Sequence, residues 1–98
     1  MKIYKVIEVW SRLHTDAERD AFHDKLLEMY NQGRFIRIKD INGNDSNSEY
    51  IMAMSKSGPY NSKVVKRFID EESAKEYINF VSNLDPISLT IEVENKGE

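Results

Sequence analysis

The chain has 98 residues, of which 17 are acidic and 14 basic, giving a net charge of −3. This length predicts one domain, and the negative charge weighs against nonspecific binding to nucleic acids. Because the sequence has no cysteine, disulfides, thiolate metal sites and cysteine nucleophiles are excluded.

The first third of the chain predicts a strand and then a helix. Residues Lys2 to Trp10 are apolar at both odd and even positions, which predicts an inner strand covered at least in part on both sides. Thr15-Asp16-Ala17-Glu18 is a capping box, so a helix should begin there. Gly33 stands where a left-handed cap would end that helix. The predicted buried stripe of the helix is Ala21, Phe22, Leu26, Met29 and Tyr30.

Two further strands and two polar connections are predicted in the middle of the chain. The second strand runs from Arg34 to Ile41, and Asn42-Gly43 begins a polar loop that is typical of a hairpin connection. The third strand covers Glu49 to Met54. Residues 55–63 contain Gly58-Pro59 and are interpreted as a second polar connection.

The stretch from Val64 to Leu84 changes from strand to helix period at Asp70, whose carboxylate can cap the helix. Its apolar residues then recur at three- and four-residue spacing, which predicts one buried stripe. Phe80 lies off that stripe, either as a rim residue of the core or as a contact for another molecule. Asp85-Pro86 ends the helix. Alternation from Ile87 to Val93 predicts a last strand. We expect a single domain over residues 1–94 and a frayed tail at 95–98.

The predicted order is β-α-β-β-β-α-β, an α+β fold of the ferredoxin-like plan, with two helices on one face of a mainly antiparallel sheet. This order resembles the dimeric ferredoxin-like barrels over nearly the whole chain. That group includes small monooxygenases and isomerases, so the resemblance implies a closed dimer and a pocket between sheet and helices. The order also resembles the RNA recognition module, and in size and composition the chain resembles accessory proteins of T-even-like bacteriophages.

The sheet face opposite the helices is the predicted binding surface. If the helices cover the side of Ile3 and Ile7, the other face is exposed and apolar, and a monomer seldom leaves such an area in water. A loop such as the 55–63 connection, a second copy of the chain, or a foreign protein could cover it. The predicted binding residues are Tyr4, Trp10, Phe35, Arg37, Lys39 and Tyr50.

No catalytic residue, metal site or cofactor is predicted, because His14 and His23 have no ligand or triad spacing and are interpreted as solvated. The leading hypothesis is a non-enzymatic cytoplasmic binding protein, such as a viral accessory factor that modulates a host or viral protein. One alternative is a dimeric α/β-barrel enzyme or small-ligand binder with a pocket beside His23 or Tyr77. The other is a single-stranded nucleic-acid-binding module.

Overall fold

The computed structural model describes residues 1–53 and 61–97, with the backbone alone for residues 50–53 and 61. It has an α+β fold of two helices and an antiparallel sheet, as the sequence predicts. The elements in chain order are β1 (Lys2–Trp10), α1 (Asp16–Asn31), β2 (Phe35–Ile36), β3 (Ile38–Lys39), β4 (Asp45–Ser46), β5 (Glu49–Ala53), β6 (Asn61–Phe68), α2 (Glu71–Ser82) and β7 (Ser88–Asn95). In the described ranges, no helix has the length and apolar character needed to span a membrane.

The main sheet has the order β2-β6-β1-β7, and β5 also pairs with β6. All of these pairs are antiparallel. Phe35 of β2 pairs with Phe68, whereas Ala53 of β5 pairs with Asn61 at the other end of β6. The two short strands therefore fill one strand position. Each helix connects strands that have one other strand between them, which confirms the ferredoxin-like plan.

The predicted strand from Arg34 to Ile41 is wrong in its second half. The main-sheet strand ends at Ile36, and β3 and β4 form a separate two-stranded sheet. A tight turn closes this hairpin, because Asp40 Oδ1 accepts from the amides of Asn42 and Asn44 and Gly43 has a φ of 82°. The prediction of a hairpin at Asn42-Gly43 is therefore correct, but the turn joins β3 to β4 and does not join two strands of the main sheet.

The predicted helix boundaries are confirmed. Thr15 and Glu18 satisfy each other's backbone amides at the start of α1. At its end, Gly33 has a φ of 72°, and the amide of Arg34 donates to Met29 O, which is a Schellman cap. Asp70 caps α2 by accepting from the amide of Ser73 at 2.7 Å.

Other predicted boundaries shift by a few residues. β6 begins at Asn61, inside the predicted 55–63 connection, most of which lies outside the described residues. At the C-terminus β7 runs from Ser88 to Asn95, so Ile87 precedes the strand. The amide of Lys96 donates to Met1 O. Pairing therefore continues into the residues that were expected to fray.

The helices cover the face of the sheet that the sequence analysis expected to be exposed. The inner face, which carries Tyr4, Val6, Glu8 and Trp10 of β1, packs against both helices. The core residues there are Val6, Trp10, Phe22, Leu26, Met29, Phe35, Val64, Phe68, Ala74, Tyr77 and Val81. The open face carries Ile3, Lys5, Ile7 and Val9, since side chains alternate along a strand. The helices were expected over the open face, and that assignment is wrong.

The physical reason for the error is that β1 is apolar on both faces. Ile3 and Ile7 are 5% and 8% exposed even though neither belongs to the helix-packed core. Alternation of apolar and polar residues therefore does not indicate which face of this strand the helices cover. Phe80 packs at the edge of the core as a rim residue, whereas Tyr30, predicted to be buried, is 42% exposed.

Candidate functional site

A buried carboxylate lies at the centre of the inner face. Glu8 is fully buried, and three side chains donate hydrogen bonds to it. Lys66 Nζ and Tyr77 Oη donate to Oε2 at 2.8 Å and 2.7 Å. Trp10 Nε1 donates to Oε1 at 3.1 Å. Both carboxylate oxygens are thus satisfied, which is the condition under which a charge can be held inside a core.

Strand register explains how the acid and the base meet. Glu8 pairs with Val64 and Val6 pairs with Lys66, so Glu8 and Lys66 are diagonal neighbours on the inner face. Helix α2 then brings Tyr77 onto the carboxylate. Burial lowers the pKa of the Lys66 ammonium, and the Glu8 carboxylate opposes that shift.

Aromatic rings surround the ammonium of Lys66. Its Nζ lies 4.8 Å from the ring centroid of Phe22 and 5.2 Å from that of Tyr77. The negative faces of aromatic rings attract a cation that has left water. The amine is therefore held by one carboxylate and two rings, on the side of the sheet that faces α1 and α2.

His14 lies next to this network. Its ring centroid is 4.3 Å from that of Trp10, with an edge-on arrangement, and 4.9 Å from that of Phe22. Its Nε2 atom is buried and has no hydrogen-bond partner in the part of the chain that the structure describes. Burial lowers the pKa of the imidazole, so the neutral form prevails at neutral pH. The expectation of a solvated histidine is wrong for His14, whereas His23 is exposed.

His14 and Lys66 line the same small cavity, which has a volume of about 160 Å³. Phe22, Leu26 and Val64 supply apolar walls, and the other described residues that line it are Arg19, His23, Asn47 and Ser48. A cavity of roughly 150 Å³ is large enough to hold benzene. The half-open site therefore has the volume to hold a molecule of about one ring, next to the buried cation and the imidazole of His14.

The structure does not bring the predicted binding residues together on an exposed surface. Trp10 and Phe35 are 1% and 4% exposed and belong to the core. Tyr4 is half-buried on the same inner face. The prediction that these three form an exposed surface is wrong, because the helices cover their face of the sheet.

Two of the other predicted residues, Arg37 and Lys39, do not line the inner cavity. Arg37 is half-buried; its Nε donates to Asn47 Oδ1 at 3.2 Å, and its guanidinium lies 4.1 Å from the ring centroid of Tyr30. Lys39 is exposed on the β3–β4 hairpin and pairs with Asp45 at 2.6 Å. The side chain of Tyr50 lies outside the described residues.

Lys66 and His14, which line the cavity, and Glu8, which pairs with Lys66, were missed as functional candidates. A signal for two of them was present, because Glu8 and Lys66 are opposite charges at central positions of apolar strands. A charge in such a position is costly unless it is paired. No comparable signal marks His14, since a histidine in a loop is ordinary. Among the described residues, no group of three or more His, Cys, Asp and Glu could hold a metal ion.

No protein-family model matches the sequence, and no curated protein matches it as a relative. Among solved structures, the chain is similar to a putative antibiotic biosynthesis monooxygenase from Deinococcus radiodurans. The similarity covers 100% of this chain and 94% of that one, at 13% identity and a TM-score of 0.41. At these values the likeness carries no argument about function, and the proposals below rest on the geometry of this chain.

The leading hypothesis of a viral accessory factor is wrong. Two of its proposed anchors, Trp10 and Phe35, are core residues, so the surface that motivated it is not exposed. The alternative hypothesis of a small enzyme or ligand binder agrees better with the concavity that His14 and Lys66 line.

Proposed function

We propose that this protein binds a small organic molecule in the cavity between the sheet and α1, as a small enzyme or ligand-binding protein. One observation carries the proposal: the unpartnered Nε2 atom of His14 and the ammonium of Lys66 belong to residues that line the same cavity. An orphaned buried nitrogen costs free energy, and a ligand with a polar hydrogen or oxygen would remove that cost.

The residues of the cavity define the chemistry of the ligand. An ammonium has three donors, and Glu8 takes one from Lys66 at 2.8 Å. A ligand oxygen could therefore accept another, most favourably if it carries negative charge. The apolar walls supplied by Phe22, Leu26 and Val64 fit the body of a single ring. A phenol or a cyclic enol meets all of these requirements.

The same arrangement supports proton transfer. A neutral His14 can accept the proton of a ligand hydroxyl at Nε2, and the resulting oxyanion is stabilised by the Lys66 ammonium. The proton moves from the ligand oxygen to the imidazole, so the pair becomes an anion and an imidazolium beside a buried cation. Since burial lowers the pKa of His14, the imidazole should keep its capacity to accept a proton below pH 6.5.

The test uses p-nitrophenol, whose ionised form has its own absorbance band. We expect saturable binding and ionisation of the bound phenol at a pH where the free compound is mostly neutral. The substitution His14→Phe keeps an aromatic ring against Trp10 and should abolish the ionisation. His23→Phe separates the two imidazoles that line the cavity: ionisation that survives His14→Phe but is lost in His23→Phe would assign the base to His23 and contradict the role of His14.

A second variant tests the location of the bound phenol. Val64 is 3% exposed and lines the cavity, so Val64→Phe should fill the space and prevent binding. Absence of any saturable binding by the native protein, or undiminished binding by Val64→Phe in a folded protein, would contradict the proposal.

A further inference from the structure

A second and larger concavity lies on the open face, between the main sheet and the β3–β4 hairpin. Its volume is about 740 Å³, which falls in the range of roughly 300–1,000 Å³ typical of small-molecule sites. Ile3 and Ile36 contribute from the sheet, and Ile38 contributes from the hairpin. Ser48 lines both concavities, but His14 and Lys66 line only the inner cavity and Arg67 lines only this groove. Substitutions at these three residues therefore test the two sites separately.

The charges of the groove are opposite to those of the whole molecule. Among the described residues that line it, four are basic and two are acidic, in a chain whose net charge is −3. Both acidic side chains already accept hydrogen bonds within the protein. Glu49 Oε2 accepts from Arg67 Nη2 at 2.7 Å, and Asp40 Oδ1 accepts from two amides of the hairpin turn. The lysines, Lys39 and Lys96, are exposed, and Lys39 pairs with Asp45 at 2.6 Å.

Arg67 provides the specific feature of the groove. Its guanidinium is bound on one side by Glu49, but Nη1 is buried and has no hydrogen-bond partner among the described residues. A guanidinium is always charged and presents a planar fork of donors that matches a carboxylate. A buried donor without an acceptor is destabilising, so an anion that reached Nη1 would gain a charge-assisted hydrogen bond.

We propose that the groove binds a small amphipathic carboxylate, with the carboxylate group on Arg67 and the hydrocarbon chain along Ile3, Ile36 and Ile38. The four basic residues favour an anion, and the isoleucines favour an apolar body. The β3–β4 hairpin forms the outer wall. β2 and β5 share one strand position of the sheet, and the β3–β4 hairpin lies between them in the chain. The hairpin is therefore held beside the sheet.

The test is calorimetric titration with decanoate, with decanol as the neutral analogue. We expect decanoate to bind to the native protein and decanol to bind about tenfold more weakly, because it lacks the charge that a guanidinium recognises. Arg67→Gln should weaken decanoate binding about tenfold and leave decanol binding unchanged. Binding of the two compounds with equal affinity would overturn the proposal.

Lys63→Gln is the matched control for Arg67→Gln. Lys63 lies on the same strand and, by alternation, on the same face, is exposed, and does not line the groove. It should bind decanoate like the native protein. Equal losses in both variants would assign the effect to general electrostatics and overturn the specific role of Arg67.

Two further measurements cover folding and self-association. Ile38→Asp changes a residue of the separate hairpin sheet, so the main sheet should keep its circular dichroism while decanoate affinity falls. Light scattering distinguishes the occupant. If the protein forms a stable dimer that excludes decanoate, the open face is an interface between copies, and the carboxylate proposal is wrong.

Discussion

The two faces of β1 each carry an ion pair, and the two pairs differ mainly in burial. On the inner face Glu8 and Lys66 are 2.8 Å apart, with side chains 0% and 7% exposed. On the open face Lys5 lies 3.4 Å from Glu94, with side chains 24% and 33% exposed. The same kind of cross-strand pair is therefore held inside the core on one face and at the surface on the other.

This difference shows that the contribution of an ion pair to stability depends on its surroundings. The buried pair has lost the water around both charges, and its mutual attraction only offsets that cost when the remaining donors and acceptors are satisfied. The surface pair keeps most of its hydration and is screened by salt. An apolar replacement could stabilise the inner face equally well, so the presence of Glu8 and Lys66 there favours a role in binding.

The largest expected effect comes from breaking the inner pair. In Lys66→Met the Glu8 carboxylate keeps its hydrogen bonds from Trp10 and Tyr77 but loses its counter-charge in the core. We expect a loss of about 3–5 kcal/mol in the free energy of unfolding, measured by urea denaturation. The double variant Lys66→Met with Glu8→Gln should recover much of it, because no buried charge remains. A double variant as unstable as the single one would show that packing, instead of charge, sets the cost.

The second largest effect is expected from two valines on opposite faces of β1. Val6 is fully buried within the core, whereas Val9 is half-buried on the open face. Val6→Ala removes two carbons and leaves a cavity, so we expect a loss of about 2 kcal/mol in the free energy of unfolding. Val9→Ala leaves no enclosed cavity and should cost about 1 kcal/mol or less. Equal losses in thermal unfolding would indicate that the open face is as tightly covered as the inner face.

The sequence predicts the ends of the helices well because those ends depend on local signals. The capping box at Thr15, the cap at Asp70 and the left-handed glycine at Gly33 each depend on a few neighbouring residues, and the structure contains all three. The split of the predicted second strand after Ile36 was not foreseen. It depends on the turn at Asp40 and on pairing with β4, which the periodicity of residues 34–41 does not reveal.

The site was less predictable, because it depends on which face the helices cover. That choice is a tertiary property when a strand is apolar on both sides, as β1 is. It decided whether Trp10 and Phe35 were surface anchors or core residues, and it also concealed the cavity beside His14. The pairing of Glu8 with Lys66 needed the strand register, which single-strand patterns leave open.

The smallest effect is expected from the surface pair. Lys5→Ala removes the contacts of Lys5 with Glu94 at 3.4 Å and Glu92 at 3.9 Å. Since both acids stay partly hydrated and salt screens the pair, the free energy of unfolding should change by less than about 1 kcal/mol. The measurement is urea denaturation at low and at high salt, and the small difference from the native protein should shrink further at high salt. A loss as large as that of Lys66→Met would mean that Lys5 is desolvated on the open face, as it would be if a second copy or another partner covered that face in solution.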